Sequence, residues 1–237
     1  MTNIIERLRK DMDEVADPVH AEKERRFFKE EIKHRGVTGT LSLKIAKRYA
    51  DEFKKEKLTK SEIFELCDEL WKSEYLDEMR VACEWSESQK KLYERSDIDV
   101  FERWIRLYVH NWAACDTLCN HTVGDLVSMY PELIERLLIW ADDENLWVKR
   151  AAAVTLIIPA RRGEFLEYIF KIADKLLTDT EDMVRKGYGW MLKAASEAHE
   201  TEVFEYVTRN KSVMPRTSLR YAIEKMNPEY KKSAMEK

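Results

Sequence analysis

Residues 143–154 read DENLWVKRAAAV, and residues 179–190 read DTEDMVRKGYGW. The two stretches align without a gap at a spacing of 36 residues, and each has an acidic start, a valine with two bases, and then small residues. A looser copy, MRVAC, stands at residues 79–83. A repeat period of roughly 20 to 50 residues is typical of proteins built from stacked structural units. This repeat therefore decides the fold class.

The pattern is that of a HEAT repeat, in which small residues let stacked helices approach closely. Such units bury a core only by stacking on their neighbours. We therefore predict an all-α fold, a curved right-handed superhelix (α-solenoid) of HEAT-like helix pairs. The prediction treats residues 1–237 as one domain with a single concave face.

Composition and periodicity point the same way. Gly and Pro number only 6 and 5 among 237 residues, which is well below average usage. No stretch shows the strict alternation of apolar and polar residues typical of a half-buried strand. The apolar spacing predicts helices, with a break at Pro159, over residues 17–35, 39–53, 59–71, 75–93, 97–109, 112–129, 131–141, 144–158, 163–177, 181–198, 201–210 and 215–226.

The sequence also excludes several classes of protein. No apolar run reaches the ~18 to 20 residues of a membrane span, and the charged start MTNIIERLRKDMDE does not suit a signal peptide. We therefore expect a soluble, cytoplasmic protein, nucleoid-associated if prokaryotic. The four cysteines lack paired CxxC spacing, so we expect buried or free thiols. Cys115, Cys119 and His121 lack a fourth ligand, so no metal site is predicted.

Charge is distributed unevenly along the chain. The formal net charge is −4, but residues 149–237 contain 17 Lys plus Arg against 13 Asp plus Glu. Residues 1–148 therefore contain 24 basic residues against 32 acidic ones. An overall acidic protein is not drawn to phosphate by its net charge. The excess of basic residues in 149–237 is compatible with a local basic surface, although a few solvated lysines would give the same count.

One set of residues could form a site. Trp112 and Asp116 stand four apart on a predicted helix, so they share one face. If this helix corresponds to the two helices of the repeat, at a looser spacing of 38, then Arg150, Lys186 and Trp190 continue the same stripe. Each residue also has a plain structural interpretation, since tryptophans at helical spacing are commonly core and a HEAT arginine is commonly solvated or ion-paired. An aspartate inside a helix is exposed, paired or functional.

These motifs resemble a known family. NWAACDT at 111–117, VGD at 123–125, LWVKRAA at 146–152 and GWMLK at 189–193 resemble the AlkD-type DNA alkylation-repair glycosylases, in order and spacing from Ala21-Glu22 to the last helices. The resemblance implies a HEAT-like fold whose concave face holds duplex DNA. It also implies excision of cationic N3- or N7-alkylated purines without base flipping, by a monomer that needs no cofactor.

Roles follow by position from that resemblance. It implies that Asp116 is the catalytic carboxylate, that Trp112 and Trp190 are indoles beside the lesion's deoxyribose, and that Arg150 contacts phosphate. The further implied DNA contacts are Lys149, Lys186, Lys193 and Phe27. Two of these depart from the family, because Phe27 stands where a Tyr is found and Lys193 where an Arg is found. The run NWAACD at 111–116 also lacks one Trp and one Asp of the best-known active members.

Two alternatives to a glycosylase stay open at this point. One is a HEAT-like protein that binds DNA or recognises its structure but has little excision activity. The other is a protein–protein scaffold, in which Trp112 and Trp190 would anchor a peptide. Affinity that falls steeply with salt would favour either DNA-binding interpretation over the scaffold.

Overall fold

The computed structural model describes residues 2–236, and that part of the chain is helical without a β-strand. Its α-helices are α1 (Thr2–Glu14), α2 (Pro18–Arg25), α3 (Gly39–Glu56), α4 (Lys60–Lys72), α5 (Leu76–Ser88), α6 (Asp97–Tyr108), α7 (Trp112–Thr117), α8 (Gly124–Met129), α9 (Ile134–Trp140), α10 (Leu146–Val154), α11 (Ile157–Arg161), α12 (Leu166–Leu176), α13 (Asp182–Ala195), α14 (Glu200–Asn210), α15 (Arg216–Ala222) and α16 (Pro228–Met235). Short 3-10 helices lie at Lys90–Leu92 and Pro131–Leu133, and a π-helix at Leu118–Val123. The predicted all-α class is confirmed. None of these helices is long and apolar enough to span a bilayer.

The chain divides into two compact units, Met1–Leu118 and Cys119–Lys237. In the first unit α3, α5 and α7 pack in series, and α4 packs on both α5 and α6. Its core is rich in aromatic residues, with Trp71, Trp85 and Trp104 inaccessible to solvent. The Trp85 indole N–H donates to the Ala46 carbonyl over 3.0 Å, which joins α5 to α3. Serial packing of neighbouring helices is the arrangement that stacked repeats require.

The second unit contains the 36-residue repeat. Here α10, α13 and α15 pack in series, with α9 against α10 and α12 against α13. Arg150 and Lys186 are each the fifth residue of their helices, so the predicted register is confirmed. A Cβ on Gly189 would lie only 2.8 Å from the Tyr221 Cβ and 3.0 Å from the Ser218 carbonyl oxygen. The small residue thus permits the close approach of α13 and α15 that the repeat predicts.

The second helix is shorter than predicted. It ends at Arg25, and residues 26–38 form a loop instead of a helix to residue 35. The buried carboxylate of Asp77 accepts hydrogen bonds from the backbone N–H groups of Arg35 (2.8 Å) and Val37 (2.9 Å). Gly36 turns the chain between them with φ +102. This anchor lies about 40 residues away along the chain, beyond the reach of local periodicity.

Two other predictions need correction or extension, and one is confirmed. Pro159 is not a break, because it is the third residue of α11, where an N–H would have no partner within the helix. The break comes at Thr155 and Leu156, between α10 and α11. Helices α1 and α16 were not predicted. The four cysteines are buried free thiols, as expected.

Candidate functional site

Asp116 lies on α7, whose start is fixed by an N-cap. The Asn111 side chain accepts a hydrogen bond from the Ala114 N–H over 2.9 Å, so the helix begins at Trp112. Asp116 is the fifth residue, one turn further along the same face. Only 9% of Asp116 is exposed, and the preceding Cys115 is completely buried. A carboxylate at this depth is costly unless nearby charge or hydrogen bonds compensate it.

Trp112 is held by the loop that follows α2. Its ring stacks on Phe28 with centroids 5.2 Å apart and planes inclined by 15°. Its indole N–H also donates to the Phe27 carbonyl over 3.4 Å. The Phe27 side chain itself is 72% exposed. The backbone of Phe27 and the ring of Phe28 therefore position Trp112, while the ring of Phe27 is free to meet a partner molecule.

Phe28 was not singled out from the sequence, and Asn111 was noted only as part of the run at 111–116, without its capping role. The adjacent pair Phe27-Phe28 within the charged run at residues 22–31 was the available signal, because two large apolar residues there need a packing partner. The π-helix at Leu118–Val123, which directly follows α7, was also not predicted. Such π segments are rare and are frequently found at functional sites.

Arg150 is buried in the second unit. Only 5% of it is exposed, and its Nη1 donates to the Met183 carbonyl at the start of α13. Its Cγ lies 3.3 Å from where a Cβ on Gly187 would stand. Arg150 thus connects the two repeat helices, α10 and α13. The neighbouring Lys149 forms an ion pair with Asp179, the first residue of the second repeat stretch.

The other predicted cations also have acidic partners. The Lys186 ammonium lies 2.8 Å from Asp182 one turn earlier on α13. The Lys193 ammonium lies 3.1 Å from Glu224 and 5.5 Å from the centre of the Tyr221 ring. Both lysines are half-buried but their carboxylate partners reach solvent, and ion pairs near the surface contribute little to stability, with a median of about 0–1 kcal/mol. A phosphate could therefore take the place of either carboxylate at small cost.

The helix starts change one part of the predicted stripe. Asp116, Arg150 and Lys186 are each the fifth residue of their helices, whereas Trp112 is the first. The predicted spacing of 38 pairs Trp112 with Arg150. By position within the helix, Arg150 corresponds to Asp116 instead. The structure brings Trp112 and Asp116 together on α7. It places Lys186, Trp190 and Lys193 on α13, and packs Arg150 against that helix.

Comparisons with known proteins agree with this architecture. The sequence model of the family described as "DNA alkylation repair enzyme" matches residues 8–226. A solved structure, "Predicted DNA alkylation repair enzyme from Enterococcus faecalis", has a TM-score of 0.80 and 15% sequence identity, covering 90% of this chain and 97% of that chain. At that identity the likeness shows the fold. A search of curated proteins gave no match. Since the family match spans nearly the whole sequence, the chain belongs to the DNA alkylation repair enzyme family.

Proposed function

We propose that this protein is a DNA glycosylase that removes cationic N3- or N7-alkylated purines from duplex DNA. It hydrolyses the N-glycosidic bond, releases the base and leaves an abasic site in an uncut strand. One observation carries the proposal. In a chain of the DNA alkylation repair family, the nearly buried carboxylate of Asp116 lies one helical turn from Trp112, which a neighbouring loop holds in place.

The chemistry needs a carboxylate more than it needs a base pocket. Alkylation gives the purine a positive charge, so the base leaves as a neutral molecule and positive charge develops on the deoxyribose. The Asp116 carboxylate would stabilise that charge and orient the water that attacks C1′. The low exposure of Asp116 strengthens such an interaction, because less water screens it. Removal of one well-placed electrostatic group costs about 10²- to 10³-fold in rate.

The two indoles assist the same step. An indole face beside the sugar attracts the developing cation, and Phe28 keeps the Trp112 ring in one orientation from its other face. Trp190 would supply the second indole. Because these groups act on the sugar, the damaged base can stay in the helix, unlike in most glycosylases. The proposed mechanism uses a monomer, and no cofactor enters this step.

Binding of the duplex would depend on phosphate contacts. We assign these to Arg150, Lys149, Lys186 and Lys193, with the exposed ring of Phe27 as a further contact. Lys193 offers a point charge rather than the forked guanidinium of an arginine. Each phosphate neutralised should contribute about one unit to the slope of log affinity against log salt.

The test is release of 7-methylguanine from a methylated duplex. Asp116→Asn removes the charge but keeps the shape, so we expect excision to fall about 10²-fold or more and affinity for the duplex to change less than twofold. Asp97→Asn is the matched control, because Asp97 is also buried but pairs with Lys60 at 2.9 Å. It should lower stability and leave excision by the folded protein intact.

Two outcomes would replace the proposal. A folded protein that binds duplex DNA in a salt-dependent way but releases no base is a recognition protein. A folded protein without salt-dependent binding to DNA is a scaffold. Unchanged excision by Asp116→Asn would remove Asp116 from the mechanism.

A further inference from the structure

Three potential metal ligands converge in the first unit. His20 and Glu24 lie one turn apart on α2, and His34 comes from the loop that follows this helix. The ligand atoms of the three side chains all lie within 4.8 Å of one another. This group, the His20–Glu24–His34 cluster, was not predicted, because the predicted helix over residues 17–35 would hold His34 about four turns away from His20.

Both imidazoles present an unsatisfied nitrogen. The Nε2 atoms of His20 and His34 are buried and have no hydrogen-bond partner. The His34 side chain is completely inaccessible to solvent. Nε2 of His20 lies 3.9 Å from Glu24 Oε1, and Nε2 of His34 lies 4.0 Å from Glu24 Oε2. A buried polar atom without a partner is costly, so two of them beside one carboxylate indicate a missing ligand.

We propose that the His20–Glu24–His34 cluster binds one divalent transition-metal ion of the zinc type, through both Nε2 atoms and the Glu24 carboxylate. Two histidines and one carboxylate are a known zinc ligand set, with a fourth position left for water. Zinc–nitrogen distances of about 2.0–2.1 Å in tetrahedral geometry place two imidazole centres about 5 Å apart. The ring centroids of His20 and His34 are 5.6 Å apart. Metal binding therefore needs each ligand atom to move inward by only about 1 Å.

The surroundings of His34 support this site. Its Nδ1 lies 3.3 Å from the Asp77 carboxylate and 2.9 Å from the Gly36 N–H, which donates to it. Because Nδ1 accepts from Gly36, the proton of the neutral ring is on Nε2 in the absence of a metal. Binding of a metal at Nε2 moves this proton to Nδ1, so the hydrogen bond from Gly36 is lost and the Asp77 carboxylate becomes the acceptor, as in carboxylate–histidine–zinc sites.

Glu24 and the local charge also fit a cation. Arg80 donates to one Glu24 oxygen over 3.1 Å, which orients the carboxylate toward the two imidazoles. Glu24 and Asp77 together carry two negative charges against the single positive charge of Arg80, so the net charge of −1 attracts a cation and offsets half the charge of a divalent ion. The metal would join α2 to the loop that holds Trp112 through Phe27 and Phe28. The role of the metal is therefore structural: it would stabilise the loop that positions Trp112, and it takes no part in the chemistry at Asp116.

Metal content and stability test the proposal without any activity measurement. The full chain is stripped with a chelator and titrated with Zn²⁺ alone, and with Co²⁺ as a spectroscopic probe. We expect one ion per chain, the visible absorption of tetrahedral Co²⁺, and a midpoint of thermal unfolding that rises with Zn²⁺ concentration. His20→Asn and Glu24→Gln should each lower Zn²⁺ affinity at least tenfold.

The matched control is His199→Gln. His199 lies 3.6 Å from Glu202 on α14, a histidine–carboxylate pair that lacks a second imidazole, so this variant should bind Zn²⁺ like the wild type. His20 is partly exposed, so His20→Asn decides the result even if His34→Gln fails to fold. A folded wild type that takes up no Zn²⁺ at micromolar concentration would overturn the proposal. So would equal affinity in wild type and His20→Asn. Neither result bears on excision by Asp116.

Discussion

Gly189→Ala is the sharpest test of how the repeat helices stack. Gly189 lies inside α13, where the new Cβ would stand 2.8 Å from the Tyr221 Cβ and 3.0 Å from the Ser218 carbonyl oxygen on α15. The Tyr221 distance is well below the roughly 3.5–4.0 Å of a normal contact between carbon atoms, and so is the 3.1 Å from the new Cβ to the Ser218 Cα. Ser218 contributes backbone atoms, so α15 must move as a whole rather than rotate one side chain.

Two opposing effects set the magnitude. Alanine is about 1 kcal/mol better than glycine in a helix interior, because it loses less backbone entropy on folding. Overpacking of a close contact costs about 1–3 kcal/mol, and the upper part of this range applies where backbone atoms obstruct the new methyl group. The free energy of unfolding of Gly189→Ala should therefore fall by about 1–2 kcal/mol.

Urea unfolding followed by circular dichroism measures this difference. The matched control is Gly39→Ala, because Gly39 begins α3 and a Cβ there would meet nothing within 4 Å. The control should change the free energy of unfolding by less than about 0.5 kcal/mol in the destabilising direction. If Gly189→Ala proved as stable as the wild type, small residues would not be what lets α13 and α15 approach, and the explanation of the repeat would be wrong.

Three further predictions concern single side chains. Phe28→Ala removes the ring stacked on Trp112, a contact worth about 0.5–1.5 kcal/mol. Excision should therefore slow several-fold, while the salt-dependent affinity for undamaged duplex stays constant. A parallel loss of excision and affinity would contradict the positioning role of Phe28. Burial raises the pKa of Tyr188 to about 12, above the value near 10 of an unfolded chain, so the folded state retains a proton that the unfolded state loses. The free energy of unfolding should fall as pH rises from about 10 to 12, and Tyr188→Phe should make urea-measured stability less dependent on pH there; an unchanged slope would refute this. Lys193→Arg supplies a forked donor and should tighten duplex binding several-fold in a filter-binding assay, whereas weaker binding would exclude a phosphate contact at this position.

The sequence was informative wherever the determining signal is local. The repeat at residues 143–154 and 179–190 predicts two helices whose fifth residues correspond, and the structure agrees. Thr59 and Glu62 form the capping box at the start of α4, at the residue where the helix over 59–71 was predicted to begin. Residues 26–38 could not be predicted in the same way. Their conformation depends on hydrogen bonds to Asp77, which periodicity within the segment does not record.

The site was predictable in its residue types but not in its contacts. The spacing of Trp112 and Asp116 places them on one face, and the structure confirms that they share α7. Spacing cannot show that Phe28 stacks on Trp112 from a loop more than eighty residues earlier. Nor can it show that Arg150 is buried against α13 and donates to the Met183 carbonyl. Contacts between distant segments depend on packing, which a single sequence does not specify.

Single-turnover release of 7-methylguanine, measured with enzyme in excess over a methylated duplex, tests the central claim most directly. Saturation separates the chemical step from binding, so the rate reports what Asp116 does at the deoxyribose. We predict that the wild type releases the base and leaves an abasic site, and that Asp116→Asn is slower by about 10²-fold or more at equal duplex affinity. Equal single-turnover rates for the two proteins, or a wild type that binds the duplex and releases nothing, would contradict the proposed mechanism.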